Sequence, residues 1–126
     1  MVHTVTVELF RHERGAALPF NPGTVVFRAG DTGDSMYAVL EGEVELDVKG
    51  TVVERVGPGG VFGEMALIEH EPRVATARAV TACQLVRVDE KRFRFLVQQH
   101  PVFALQIMRV MAARLRNMNE RLAPGA

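Results

Sequence analysis

The chain has 126 residues, is 48% hydrophobic, and balances 15 Lys and Arg against 15 Asp and Glu. That size suits one globular domain with its own core. The neutral balance removes the basic footprint of a nucleic-acid binder, and no apolar run approaches the ~18 residues of a membrane span.

The opening stretch, MVHTVTVELFRHERG, lacks the basic start and apolar core of a secretory signal. The single cysteine, Cys83, cannot form an internal disulfide, so the expected location is the cytoplasm. Cys83 sits in the alternating run TACQLVRV and is expected to be a small buried hydrophobe rather than a reactive thiol.

Residues 1–89 divide as an all-β unit. Glycines at 23, 30, 33, 42, 50, 57, 59, 60 and 63 separate short Val-rich runs, the spacing of a sandwich or barrel. TVVF (24–27) and SMYAVLEG (35–42) are predicted strands. In EVELDVKG (43–50), Val44, Leu46 and Val48 share one face, while Glu43, Glu45, Asp47 and Lys49 share the other. That alternation is a half-buried antiparallel strand with a solvated acidic face, and Lys49-Gly50 turns it into TVVERV. VATARAVTACQLVRVD (74–89) supplies the last strands.

After Asp89 the period changes from 2 to 3.6. Asp89 is a predicted N-cap for a short helix over about 90–99, and Pro101 suits the first turn of a second, over about 101–122. Residues 91–126 hold seven basic side chains and one acidic one, Glu120, a balance that complements the helix dipole. Ala104, Met108, Met111, Leu115, Met118 and Leu122 fall at heptad-like spacings, which predicts a homodimer through this helix, with packing on its own β-unit as the alternative or as a second use. Phe62, Phe93, Phe95 and Phe103 are expected in the core and helix contacts. The trailing LAPGA is expected to fray.

Between the strands lies FGEMALIEHEPRVATA (62–77), in which Glu64 and Arg73 stand in otherwise apolar surroundings. They either neutralise one another or await a ligand carrying hydroxyls and negative charge. Gly60 and Gly63 permit close backbone approach. MALIE is short and helix-prone, with orphan amides at its start. Arg73 offers a planar fork suited to two phosphate oxygens, and Ala66, Ala75 and Ala77 leave room.

This segment closely resembles the phosphate-binding cassette of cyclic nucleotide-binding domains, a family that includes catabolite activator-type regulators, kinase regulatory subunits and cyclic nucleotide-gated channels. FNPGTVVFRAGDTGDSMYAVLEGEVEL resembles the family's opening strands, and the helix pair ending MAARLRNMNERL its hinge and dimerisation helices. The resemblance implies a mainly β fold: an eight-stranded antiparallel, jelly-roll-like β-roll over about 1–89, then a short hinge helix and a long C-terminal helix over 90–122, in a single domain spanning 1–126. It implies that Glu64 binds a ribose 2′-hydroxyl and Arg73 the cyclic phosphate. The amides near Gly63, Met65, Ala66 and Val74 complete the cradle, with Ala75 and Thr76 continuing from it; Thr76 is expected to be structural or ligand-facing. Relatives that favour cyclic GMP tend to carry threonine after the arginine; Val74 lacks that hydroxyl, which favours cyclic AMP and leaves cyclic GMP as the second nucleotide. The position equivalent to an adenine-reading serine is Asn119, next to Met118.

The chain is expected to lack the helix-turn-helix of the transcription regulators and so to make no direct nucleic-acid contact. It is expected to act as a sensor with a separate, unknown output partner. Ligand-free dimerisation or docking, or a truncated relative of a transcription regulator, are the alternative roles. Catalysis is not expected: His3, His12, His70 and His100 are scattered without metal-ligand spacing, no cofactor is implied, and Ser35, the only serine, has no nucleophile context.

Overall fold

The computed structural model describes residue 10 and residues 16–122, apart from the side chains of residues 118, 121 and 122. The trailing segment from residue 123 and most of the first fifteen residues lie outside it. Eight strands alternate with tight turns: β1 (Leu18–Phe20), β2 (Val25–Phe27), β3 (Ser35–Glu41), β4 (Val44–Val48), β5 (Thr51–Val56), β6 (Val61–Phe62), β7 (Thr76–Ala79) and β8 (Cys83–Asp89). Helix α1 (Glu64–Glu69) interrupts them between β6 and β7, and α2 (Glu90–Gln99) and α3 (Pro101–Leu122) follow.

All strand pairs are antiparallel, in two four-stranded sheets of order β1-β8-β3-β6 and β2-β7-β4-β5. The first sheet is covered on both faces. Along β3 and β8, Val39 and Leu85 point into the space between the sheets, while Met36, Ala38, Val86 and Val88 point toward the helices. This explains why SMYAVL and QLVRV read as near-continuous apolar runs. Burial on both faces of a sheet removes the polar alternation that a half-solvated strand keeps.

The second sheet keeps it. In β4, Val44, Leu46 and Val48 are buried, and Glu43 and Glu45 form an exposed ion-pair row with Arg55 and Arg78. The Lys49-Gly50 turn forms as expected, with Asp47 Oδ1 accepting from the Gly50 amide at 2.8 Å. Cys83 is buried in the inter-sheet core, where burial raises its thiol pKa above the ordinary value.

Asp89 caps α2, its Oδ1 accepting from Arg92 N–H at 2.8 Å. Proline at 101 lacks the amide that would continue the ladder, and the chain re-enters helix after His100. Phe103, Ile107 and Val110 of α3 are buried against the first sheet, and Ala113 is buried one turn further on. Phe93 of α2 meets Phe103 edge-to-face at 5.6 Å. Phe95 departs from expectation: it is 55% exposed, about 100° around α2 from the buried Leu96.

The apolar seam of α3 also differs from the one read in sequence. Met111 packs partly against the roll, whereas Met108 and Leu115 are exposed. The roll-facing stripe runs one residue ahead of the predicted seam, along 103, 107, 110 and 114.

Candidate ligand-binding site

The site is assembled where α1 leaves the end of β6. Gly63 adopts φ 83° at the N-cap of α1, a left-handed conformation that glycine enters without steric cost. A side chain there would also collide, since a Cβ on Gly63 would lie 2.7 Å from Arg73 Nη1. No side chain caps α1 at its start, so its first amides depend on other acceptors. Gly63, Glu64, Met65, Ala66, Arg73, Val74 and Ala75 line one hollow, joined by Phe27, Leu46 and Arg114.

Arg73 is buried in this wall and tightly held. Its Nη1 donates to the Gly63 carbonyl at 2.8 Å and its Nη2 to the Ser35 carbonyl at 2.7 Å. The guanidinium carbon sits 4.0 Å above the centre of the Phe27 ring, a cation–π placement. Its backbone is bracketed by the β2–β3 loop: Arg73 N–H donates to Asp31 O, and Gly30 N–H to Arg73 O. Nε is buried with no hydrogen-bond partner among the described residues. Burial pushes the Arg73 pKa below its ordinary value, opposed by the charges of Tyr37, Asp34, Glu64 and Asp31. A buried donor without an acceptor costs about 1–3 kcal/mol, and more when charged, so Arg73 is held in place at an energetic cost.

Glu64 and Arg73 do not pair. Glu64, 1% exposed, instead takes a hydrogen bond from Arg114 Nη1 at 2.5 Å. Arg114 reaches it from α3, fifty positions along the chain. The same guanidinium engages Glu54 of β5 through Nε at 2.6 Å and Nη2 at 2.9 Å, and Nη2 also donates to Val61 O. Burial opposes the charge on Arg114, but the bonds and charges of Glu54 and Glu64 outweigh it and raise the pKa above the ordinary arginine value.

Arg114 and Glu54 were missed in sequence. The usable signal was Arg114 at a spacing of 4, 3 and 4 from Phe103, Ile107 and Val110, a charge on the apolar face of its helix. Of the other expected residues, Val74 is half exposed at the rim. Thr76 is turned to the loop, its Oγ1 accepting from Ala29 N–H at 3.0 Å. Asn119 is exposed and does not line the hollow. Among the described residues there is no grouping of His, Cys, Asp or Glu suited to a metal ion, and no helix is long and apolar enough to cross a membrane.

Two antiparallel sheets, an interrupting helix with an arginine behind it, and two closing helices define a β-roll ligand-binding domain. The family model for the cyclic nucleotide-binding domain matches residues 17–100. The chain belongs to that family. It is 31% identical over 109 residues to a CRP-like cAMP-activated global transcriptional regulator of Mycobacterium tuberculosis, covering 82% of this chain and 49% of the relative. It is 40% identical over 100 residues to a cyclic nucleotide-gated potassium channel of Mesorhizobium japonicum, covering 79% of this chain and 27% of the channel. The chain thus spans about half the length, or less, of these curated relatives. Among solved structures, Thermus thermophilus catabolite activator protein superposes with a TM-score of 0.74 at 27% identity, over 91% of this chain and 57% of that one. A cAMP-bound PfPKA-R fragment gives 0.74 at 28% identity, over 82% and 36%.

The packing behind Arg73 yields a direct test. A Cβ on Gly33 would fall 2.5 Å from Arg73 Nε and 2.7 Å from Ala66 Cβ. Gly33→Val is therefore expected to destabilise the fold by roughly 1–3 kcal/mol through overpacking, read as a lower urea midpoint. An unchanged midpoint would show that the β2–β3 loop yields and that Arg73 is not wedged.

Proposed function

We propose that this chain is a cyclic nucleotide sensor domain, favouring cyclic AMP over cyclic GMP, that signals by repositioning α2 and α3. The buried guanidinium of Arg73, held by two main-chain carbonyls and bonded to no carboxylate in the wall it shares with Glu64, carries the reading. A cyclic phosphate supplies the counter-charge that Arg73 lacks, a ribose hydroxyl can donate to Glu64, and the first residues of α1 line the same hollow. Arg73 is held by two carbonyls and a ring before any ligand arrives, so little side-chain entropy remains to be lost on binding. Val74 at the rim offers no hydroxyl to a guanine, which supports the preference for cyclic AMP. The relatives that bind or respond to cyclic AMP are consistent with this choice.

Residues 1–126 act as one regulatory domain in the cytoplasm, passing the signal on through α2 and α3. The alternation of β-roll and helices, with Glu64 bonded to α3, supports a link from ligand to helix. A nucleotide moves that equilibrium only by its differential affinity for the two helix arrangements. A homodimer forms through the exposed face of α3, where Val102, Leu105, Met108 and Leu115 leave apolar surface uncovered.

Calorimetric titration is expected to give tighter binding for cyclic AMP than for cyclic GMP. Arg73→Ala, which deletes a charge-assisted anchor, should weaken binding about 100-fold or more; wild-type affinity in that variant removes the reading. Cyclic AMP should also slow or speed amide hydrogen exchange across residues 90–117, and a change confined to residues 60–78 would leave a binding site without a switch. In light scattering, Met108→Asp with Leu115→Asp should convert a dimer to a monomer, because uncompensated charge in a buried contact is costly. A wild type that is monomeric at high micromolar concentration would dispose of the dimer. Met111 is unsuitable for this test because it packs partly on the roll.

A further inference from the structure

The strongest polar contact of α3 with the roll is made to a carboxylate outside the cassette. Arg114 is 4% exposed, and Glu54 of β5 takes its Nε and Nη2 in a two-pronged pair at 2.6 and 2.9 Å, leaving only Nη1 for Glu64. Paired prongs fix the plane of a guanidinium as a single contact cannot. The orientation of Arg114 is therefore set by Glu54, and Glu64 receives the nitrogen that this orientation leaves over.

We propose that Glu54 is a positioning residue: it holds α3 docked on the roll before nucleotide arrives and keeps Arg114 from closing on Glu64 with both prongs. The inference rests on the nucleotide reading for its effect on affinity, and on geometry alone for its effect on the helix. Two consequences run the same way. A docked α3 completes the wall of the hollow, since Arg114 lines it together with Glu64, and apparent affinity falls with the fraction of protein in the competent arrangement. A Glu64 engaged by one prong retains acceptor capacity for a ligand hydroxyl, whereas one engaged by two has less.

Charge alone argues in the opposite direction. Glu54, Glu64, Arg73 and Arg114 sum to zero. Replacing Glu54 by a neutral residue would leave one excess positive charge beside an anion site, and Coulomb attraction would then tighten nucleotide binding. The two accounts thus differ in sign. Glu54 is partly solvated, its side chain 26% exposed, which weakens the charge effect by screening. Loss of the fork is not screened in this way, because Arg114 Nε would be left buried without its acceptor.

The test is Glu54→Gln, which keeps the shape and removes the charge and one acceptor. Hydrogen exchange without nucleotide should be faster over residues 105–117 than in the wild type, and saturating cyclic AMP should restore protection. Calorimetry should show cyclic AMP affinity reduced roughly 5- to 20-fold, the lower part of the span typical of coupled sites. Arg114→Lys keeps a cation but cannot span both carboxylates, so it should loosen α3 in the same way and serves if Glu54→Gln folds poorly. Unchanged exchange in α3, or tighter nucleotide binding, overturns the proposal. If wild-type protein binds no cyclic nucleotide, the nucleotide reading fails by itself, and the exchange comparison still decides whether Glu54 latches the helix.

Discussion

One buried carboxylate organises this molecule. Glu64 is placed at the first turn of α1 with almost no exposure, and an ionised group in that position needs partners. The partner comes from α3, which must run close enough to the roll for Arg114 to reach it. Arg114 is in turn too buried to be satisfied by one carboxylate, and β5 contributes Glu54. The path of the long helix, the position of the β5 hairpin and the start of α1 are thus tied to one another by three charges. Removing Arg114 would leave Glu64 buried and uncompensated, the situation that makes broken internal ion pairs so damaging.

On the other side of Glu64, Arg73 is treated differently. It receives no carboxylate; its two terminal nitrogens are spent on main-chain carbonyls from Gly63 and Ser35, and its face lies on Phe27. Carbonyls and a ring orient the cation without neutralising it. The contrast assigns the two arginines separate work. Arg114 is matched to internal carboxylates and carries structure, while Arg73 is left positive with no carboxylate bonded to it, which is the condition of a preformed anion site.

Local signals were legible to the extent that local physics decides them. The alternation in Val44, Leu46 and Val48, the Lys49-Gly50 turn, the Asp89 cap and the Pro101 restart depend on neighbours within a few residues, and each was readable before the structure. The cassette was readable as a resemblance, but its charge pairing was not. The question of whether Glu64 meets Arg73 is settled by an arginine on another element, fifty residues away. Strands as short as β1 and β6 carry too few residues to show a period and exist because β8 and β3 offer them edges to pair with. On α3, two apolar stripes run side by side. Periodicity selected the one containing Met108 and Leu115, which is mostly uncovered, over that containing Phe103, Ile107 and Val110, which is in the core. Both have helical spacing, so periodicity cannot rank them. The arginine that ends the second stripe could have, because a charge on an apolar face requires a buried partner.

The same arrangement explains how occupancy of the hollow can reach a helix that lines only its edge. On the proposed reading, a ligand hydroxyl donating to Glu64 would share that carboxylate with Arg114, so ligand and α3 would interact through a common acceptor rather than through a chain of intermediates. If the carboxylate can serve both donors together, the ligand reinforces docking of α3. If it cannot, ligand and helix compete, and binding frees the helix. Glu54 bears on which of these holds, because it takes two of the prongs that Arg114 would otherwise offer to Glu64. With Glu54 in place the demand on Glu64 is a single hydrogen bond, and a second donor can be accepted on the remaining lone pairs. On that reading reinforcement is favoured: the nucleotide and the docked helix would stabilise the same arrangement. By reciprocity, whatever partner protein holds α3 docked would also tighten nucleotide binding by the same factor.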